Sequence, residues 1–587
     1  MPCVRTGLLC LVFLGPFVGV FQLAEASADK DPLASAMGER LEHAAGRSLR
    51  NTEWVRHFFE ARSFAPAWTD KSGPREDAHE LLSVVRAAHA DGLDPDDYHT
   101  QRLEELLDGA RGKGSRAPGR TRGQRWQKPE LPVGRRAEIE LLATDAWFSW
   151  TADVLLGRAR DAGPTEALTE ALAAEGLNDP VARLMQALQE RKVREELERL
   201  LPASPAYHQL RGALERYRSI AKRGGWMTVP SGRSLQHGNR DVRVPILRER
   251  LKSEPFGIRL EPPVGFPQWF DGELDRAVRD FQRRHGLEID GVVGPATLTA
   301  LNVSAAARSR QVELNMERWR RLPRDMGRRH VLVNIPSAEL EAIENGLAKI
   351  RMRVVVGAPR WETPELSSSI SHFIVNPYWN VPRSIAVRSL LPNIVGDERY
   401  LEKRGFRVYA VEAGERAAQA GPTERAGPTE RAEPTEHAEP TEIDAASIRW
   451  TELGASNFPY RLRQDPGPDN ALGRMKFIFR NRFSVYLHDT PVRGAFVENV
   501  RTRSHGCVRL EKPLELAEWL LDSNEKWTST RLLAALAGND RYTATLDSPV
   551  AVHLAYLTVA ADETGAIHFL PDVYGRDRQM AASLPGG

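Results

Sequence analysis

Two short stretches near the C-terminal end hold most of the chain's chemistry. They are Ser504-His505-Gly506-Cys507-Val508-Arg509-Leu510 and His488-Asp489-Thr490-Pro491, whose histidine stands nineteen residues before the cysteine. A free thiol has a pKa of about 8.5, so little thiolate exists at neutral pH without help. An imidazole within reach takes the thiol proton and later returns a proton to a leaving amine. His488 follows the run Phe483 to Leu487, which predicts a strand with the histidine at its end. The loop that follows is long enough to bring Cys507 back beside that end. Gly506 lets the backbone approach a substrate carbonyl, and the main-chain N–H groups of Gly506 and Cys507 are candidate oxyanion donors. His505 is the rival base. Alternation of side chains along an extended chain sets it poorly for the Cys507 sulfur, which leaves His488 the better placed. A zinc site of His488, His505 and Cys507 lacks the usual close ligand spacing and needs a fourth ligand, so neither metal nor cofactor is expected.

The cysteine inventory sharpens this. There are three, Cys3, Cys10 and Cys507. The first two lie in an N-terminal segment where Arg5 precedes an uncharged run from Thr6 to Ala24, followed by the small-residue pattern Ala24-Glu25-Ala26. That pattern predicts a secretory signal peptide over residues 1–26 and a periplasmic protein. Pro16 and Gly19 interrupt the run, which barely reaches the ~20 residues of a membrane span. Membrane contact is therefore expected only if the signal is retained. Past the membrane a single thiol remains in an oxidising compartment, as a buried bystander, an intermolecular partner or a reactive group. The histidines and glycine beside Cys507 favour the last.

Other elements must position these residues. A chain of 587 residues implies two to four domains. Its 27% charged and 41% hydrophobic residues are ordinary for a soluble protein, and a net charge of +2 gives no case for nucleic acid. The overall pattern is multidomain α+β. Residues 27–230 read as an α-helical scaffold, for example Ala78 to His89 and Ala137 to Leu156, with a solvated basic loop at 111–136. A compact three-helix module follows at 231–305. There Leu274, Val278 and Phe281 share a helical stripe, Gly286 suits a C-terminal cap, and Pro295 suits a first helical turn. A connecting helix is expected at 306–329. From 330 to 577 the period shortens to that of strands, as in His330 to Pro336, Ile350 to Gly357, Phe477 to Phe479 and Val550 to Tyr556, with a helix at Pro513 to Leu521. Within this mostly β domain, residues 414–443 form a low-complexity insertion whose hexapeptide Ala-Gly-Pro-Thr-Glu-Arg recurs in four degenerate copies over 420–443. Residues 578–587 are a tail.

Ser-His-Gly-Cys-Val-Arg, preceded by His488 at this distance, resembles the catalytic domain of the L,D-transpeptidase (YkuD-type) family. Asn376-Pro377-Tyr378-Trp379-Asn380-Val381-Pro382, Pro466-Gly467-Pro468 with Asn470, Leu472-Gly473, Lys476-Phe477 and Tyr486-Leu487-His488 agree with it. Phe281-Gln282, His285-Gly286-Leu287, Asp290-Gly291 and Gly294 to Leu301 resemble the small peptidoglycan-binding domain. Together the chain is similar to the large periplasmic Gram-negative members of the family, with a β-sandwich-like catalytic domain. The resemblance implies that Cys507 is the nucleophile and His488 the base, with the Asp489 carbonyl orienting the imidazole. Gly506, Ser504 and His505 support the oxyanion loop. Trp379 belongs to a capping lid, Arg509 either holds a substrate carboxylate or braces the loop, and Tyr486, Trp379 and Asn376 are substrate-binding candidates. It also implies peptidoglycan stem peptides as donor and acceptor, glycan contact through 231–305, 3→3 cross-linking with release of D-alanine, and trapping by carbapenems. The same site could instead use water or a lipoprotein lysine as acceptor, and a wall-binding protein without catalysis is the alternative of another class.

Overall fold

The computed structural model describes residues 31–43, 49–108, 130–158, 179–254, 260–410, 441–522 and 524–584. The expected signal peptide, most of the basic loop and nearly all of the hexapeptide repeat lie outside them. Among the described residues no helix is long and apolar enough to cross a membrane.

The helical half is organised around α1 (Val133–Leu156), in which every residue from Ile139 to Leu155 is buried. A helix apolar on all sides needs neighbours on all sides. Trp54, Phe58 and Phe59, Leu81 and Val85, and Leu103 and Leu107 from three shorter helices supply them. Each such side chain contributes about 1.5–3 kcal/mol by leaving water. Glu140 is one of three buried carboxylates within α1, with Asp145 and Asp153. Its carboxylate accepts the N–H groups of Ala67 at 2.7 Å and Thr69 at 2.8 Å, and that of Trp68 at 3.1 Å. Glu140→Ala strands these buried donors, and the expected cost is about 3–5 kcal/mol of unfolding free energy. Denaturant titration of the variant against wild type measures it.

The small module holds α3 (Gly272–Arg284) and α4 (Pro295–Leu301). Asp271 caps α3 by accepting Leu274 N–H at 2.9 Å, and Leu274, Val278 and Phe281 face the module core as their spacing requires. Gly286 leaves the helix at φ +60°, the left-handed turn expected there. Buried Gln282 ties down the Asp290-Gly291 loop, donating to Asp290 and accepting from Gly291 N–H.

Helix α5 (Ala305–Arg321) joins the parts. With α2 (Pro205–Lys222) it shares a core that also contains Val559, Ile567 and Phe569. The hairpin Val559–Ala561 with Ile567–Phe569, expected to belong to the β domain, thus packs on helices instead. Its apolar side chains meet Tyr207, Tyr217 and Met316 there.

The C-terminal sheet has nine strands: β1 (Arg329–Asn334), β2 (Glu339–Glu344), β3 (Leu347–Gly357), β4 (Leu366–Val375), β5 (Met475–Phe479), β6 (Leu487–His488), β7 (Thr502–Ser504), β8 (Val508–Leu510) and β9 (Tyr542–Ala555). They run in the order β7-β3-β8-β6-β5-β4-β9-β1-β2, and a further β2–β3 pairing closes the sheet on itself. The sandwich-like core is therefore the inside of one curved, closed sheet, filled by Val331, Val354, Phe373, Phe477, Leu487, Val508 and Val552, with α6 (Pro513–Leu520) packed against it. The strand expected over Phe483 to Leu487 is shorter. Asn481 Oδ1 accepts the N–H groups of Phe483 at 3.0 Å and Val485 at 3.1 Å, and Ser484 turns at φ +54°. That side-chain-capped turn consumes the strand's first half.

Between β4 and β5 rises a separate subdomain, the segment expected to form the lid. Its sheet sets Trp379–Asn380 beside Tyr460–Gln464, then Phe406–Ala410, then Glu442–Ile443. Its core is Val381, Leu390, Leu391, Ile394, Val408 and Leu462. The last residues of the repeat, Glu442 and Ile443, are thus sheet rather than insertion, pairing with Tyr409 and Val408.

Candidate active site

Strand pairing assembles the site on the outer face of the closed sheet. Along β6 and β8, Leu487 and Val508 point into the core, so their neighbours point out. Strand β8 runs parallel to β6 with His488 beside Arg509, and β5 runs antiparallel with Lys476 beside His488. Opposed residues share a face. Lys476, His488 and Arg509 therefore form one row across three strands, with Tyr486 and Cys507 in the next. The two distant stretches meet because their strands are hydrogen-bonded neighbours.

His488 Nδ1 lies 2.5 Å from the Asp489 carbonyl. A carbonyl only accepts, so Nδ1 carries the proton and the neutral ring's Nε2 is left as the basic nitrogen. Burial pushes the imidazole down to about 3, aided by the charges of Arg509 and Lys476 and opposed by the Asp489 and Leu472 carbonyls. Burial raises the Cys507 thiol, outweighing the Tyr486 N–H and phenol and the charges of Lys476 and Arg509, all of which favour the thiolate. Both shifts favour a neutral thiol beside a neutral imidazole over a standing ion pair. Alkylation of Cys507 by iodoacetamide is accordingly expected to be slow near neutral pH and still rising above about pH 9, with no acid-side plateau. A plateau between about pH 4 and 7 in the rate profile would reveal a thiolate–imidazolium pair instead.

Around Cys507, polar groups are held closely. The Ser504 hydroxyl donates to the Cys507 carbonyl at 2.5 Å and accepts Gly506 N–H at 3.1 Å. Gly506 sits at φ +107°, which only glycine adopts readily. Its N–H, expected to face an oxyanion, is spent on Ser504. Sequence reasoning missed Thr363, whose hydroxyl donates to the Gly506 carbonyl at 2.8 Å, and Tyr574, which braces Thr363. No spacing signal links either to the loop.

His505 packs against Trp361, ring centroids 4.0 Å apart and planes tilted by 38°, with Nε2 3.2 Å from Ser389 Oγ on the lid. Alternation does not set it apart from Cys507, since residues 505 and 507 would share a face in an extended strand; the left-handed Gly506 separates them. Asp489 plays the expected part with its carbonyl, while its carboxylate accepts Arg474 N–H at 2.7 Å and binds Arg493. Trp379 lies in the lid, packed near Phe406 in that core. Asn376 does not line the site. It is 0% exposed, its amide donates to the carbonyls of Ala535, Gly538 and Asp540, and its oxygen accepts from Arg474. Arg509 is mostly buried beside Cys507, and its Nε has no acceptor among the described residues.

Comparison with known proteins agrees with this layout. Residues 328–540 match the L,D-transpeptidase catalytic domain, 53–214 the scaffold domain, and 241–301 the "Putative peptidoglycan binding domain". A Haemophilus influenzae protein described as "Putative L,D-transpeptidase" is 35% identical over 272 residues, 46% of this chain. The match spans 49% of that relative, about half its length. A solved L,D-transpeptidase (residues 123–326) from Xylanimonas cellulosilytica is 17% identical, covering 55% of this chain and 98% of that one, with a TM-score of 0.16. At that score the likeness bears on neither fold nor function. The closed sheet and its outer-face site form an L,D-transpeptidase catalytic domain. Together the three matches set a scaffold segment, a peptidoglycan-binding segment and an L,D-transpeptidase catalytic segment along one chain.

Proposed function

We propose that this protein is an exported L,D-transpeptidase that joins peptidoglycan stem peptides through a thioester on Cys507. The observation that carries the reading is the strand register that brings Cys507, Tyr486, His488 and Arg509 together on one face. Cys507 Sγ attacks the carbonyl of the third stem residue as His488 Nε2 takes the thiol proton. The amide C–N bond breaks, and the imidazolium returns the proton to the departing D-alanine amine. An amine on a neighbouring stem then attacks the thioester, forming a 3→3 amide and restoring the thiol. The chemistry calls on no metal or organic cofactor. Glycan contact through 231–305 would hold the enzyme on its polymer. Arg509, a guanidinium without a carboxylate partner among the described residues, is suited to a stem carboxylate.

The test incubates disaccharide-tetrapeptide with the purified protein and reads products by mass spectrometry. A cross-linked dimer lacking one D-alanine supports the proposal. Tripeptide alone points to water as acceptor, and no turnover leaves only wall binding. Arg509→Gln is expected to lower kcat/KM by about 10- to 100-fold, mainly through KM, for a lost charge-assisted contact. Initial-rate kinetics over donor concentration measure the split.

A further inference from the structure

We propose that Thr363 is a positioning residue that aims the Cys507 N–H at the developing oxyanion, resting on the transpeptidase reading of the site. The backbone of Gly506 and Cys507 offers two donors and two acceptors, and three of these four groups are already engaged. Ser504 takes Gly506 N–H and donates to the Cys507 carbonyl, while Thr363 donates to the Gly506 carbonyl. Among the described residues the fourth, Cys507 N–H, has no acceptor. A backbone donor without a protein partner, beside the proposed nucleophile, is available to a ligand oxygen.

The direction of that donor follows from the peptide plane. The C=O and N–H of a trans peptide point opposite ways. Fixing the Gly506 carbonyl to Thr363 therefore fixes Cys507 N–H on the far side of the Gly506–Cys507 bond. Thr363 can hold it because it is itself over-determined. It is 0% exposed, its Oγ1 accepts Gly357 N–H at 2.9 Å, and its own N–H donates to Tyr574 Oη at 3.2 Å. Tyr574 in turn donates to the Gly357 carbonyl at 2.6 Å. With Gly357 N–H as donor and a carbonyl as the other partner, the single hydroxyl proton of Thr363 has one destination, the Gly506 oxygen. A Cβ on Gly357 would lie 2.0 Å from the Trp361 carbonyl, so the turn that presents Thr363 tolerates no side chain there.

Two reactions of the same sulfur separate aiming from structure. Acylation by a carbapenem forms the Sγ–C bond and breaks the lactam C–N bond, with the thiol proton passing to the ring nitrogen. It develops an oxyanion, whereas alkylation by iodoacetamide develops none. Thr363→Val, which keeps shape and removes the hydroxyl, is expected to slow acylation about 10- to 100-fold while leaving alkylation within about threefold. Thr363→Ser, which keeps the hydroxyl, is expected to restore acylation. Unchanged acylation in the valine variant overturns the proposal. So does an equal fall in both reactions, which marks a purely structural role. A wild-type protein that alkylates but takes no carbapenem overturns the transpeptidase reading itself, a result distinguishable from either.

Discussion

Cys507→Ala is expected to fold, to form no cross-linked dimer from disaccharide-tetrapeptides, and to gain no mass from a carbapenem. In the proposed mechanism the thiol is the attacking group, and without it no thioester forms. The loss should exceed about 10⁴-fold, the limit being detection rather than residual chemistry. The side chain is small and only partly exposed, so the melting temperature should stay close to wild type. Intact protein mass spectrometry after carbapenem exposure, run beside thermal unfolding, checks both halves. Dimer formation by the alanine variant would move the nucleophile elsewhere.

His488→Ala is the second large effect, with an expected fall in kcat of about 10³-fold, within the range for a removed general base. The neutral resting pair makes the reason specific. A pre-formed thiolate would attack without its histidine, but a thiol held above its ordinary range by burial must lose its proton during attack. Single-turnover acylation, which isolates that step, should fall as far as steady-state turnover. Equal acylation rates in the variant and wild type would show that the thiol ionises without this imidazole. Asp489 cannot be tested the same way, because the group it offers His488 is a backbone carbonyl.

Much of this site was legible in the residues. Two words of sequence hold the proposed nucleophile and base, which the strand register brings to one face, and the helical stripe of Leu274, Val278 and Phe281 and the turn at Gly286 lie in the module as their spacing predicts. What failed did so for identifiable reasons. Phe483 to Leu487 has strand composition, but Asn481 offers its backbone a competing set of hydrogen bonds. Asn376 sits in a family-like stretch, and nothing local reveals that its amide is consumed by carbonyls more than 150 residues away. The Gly506 N–H does not face an oxyanion because the hydroxyl of Ser504, two residues back, accepts it in a local turn. Thr363 and Tyr574 act across the fold, so no spacing rule finds them.

The position of the hexapeptide repeat carries a consequence for how this gene can change. The chain departs at Ala410 and re-enters at Thr441, and these two residues are themselves hydrogen-bonded, Ala410 N–H to the Thr441 carbonyl at 3.3 Å. Beyond them Tyr409 pairs with Glu442 and Val408 with Ile443. The two ends of the repeat are therefore held together by the lid sheet itself. For a connection closed at its ends in this way, each doubling of length is expected to cost only about 0.6 kcal/mol. The junction between Ala410 and Thr441 is accordingly the place where a change in repeat number, or an inserted reporter, is expected to weigh least on folding.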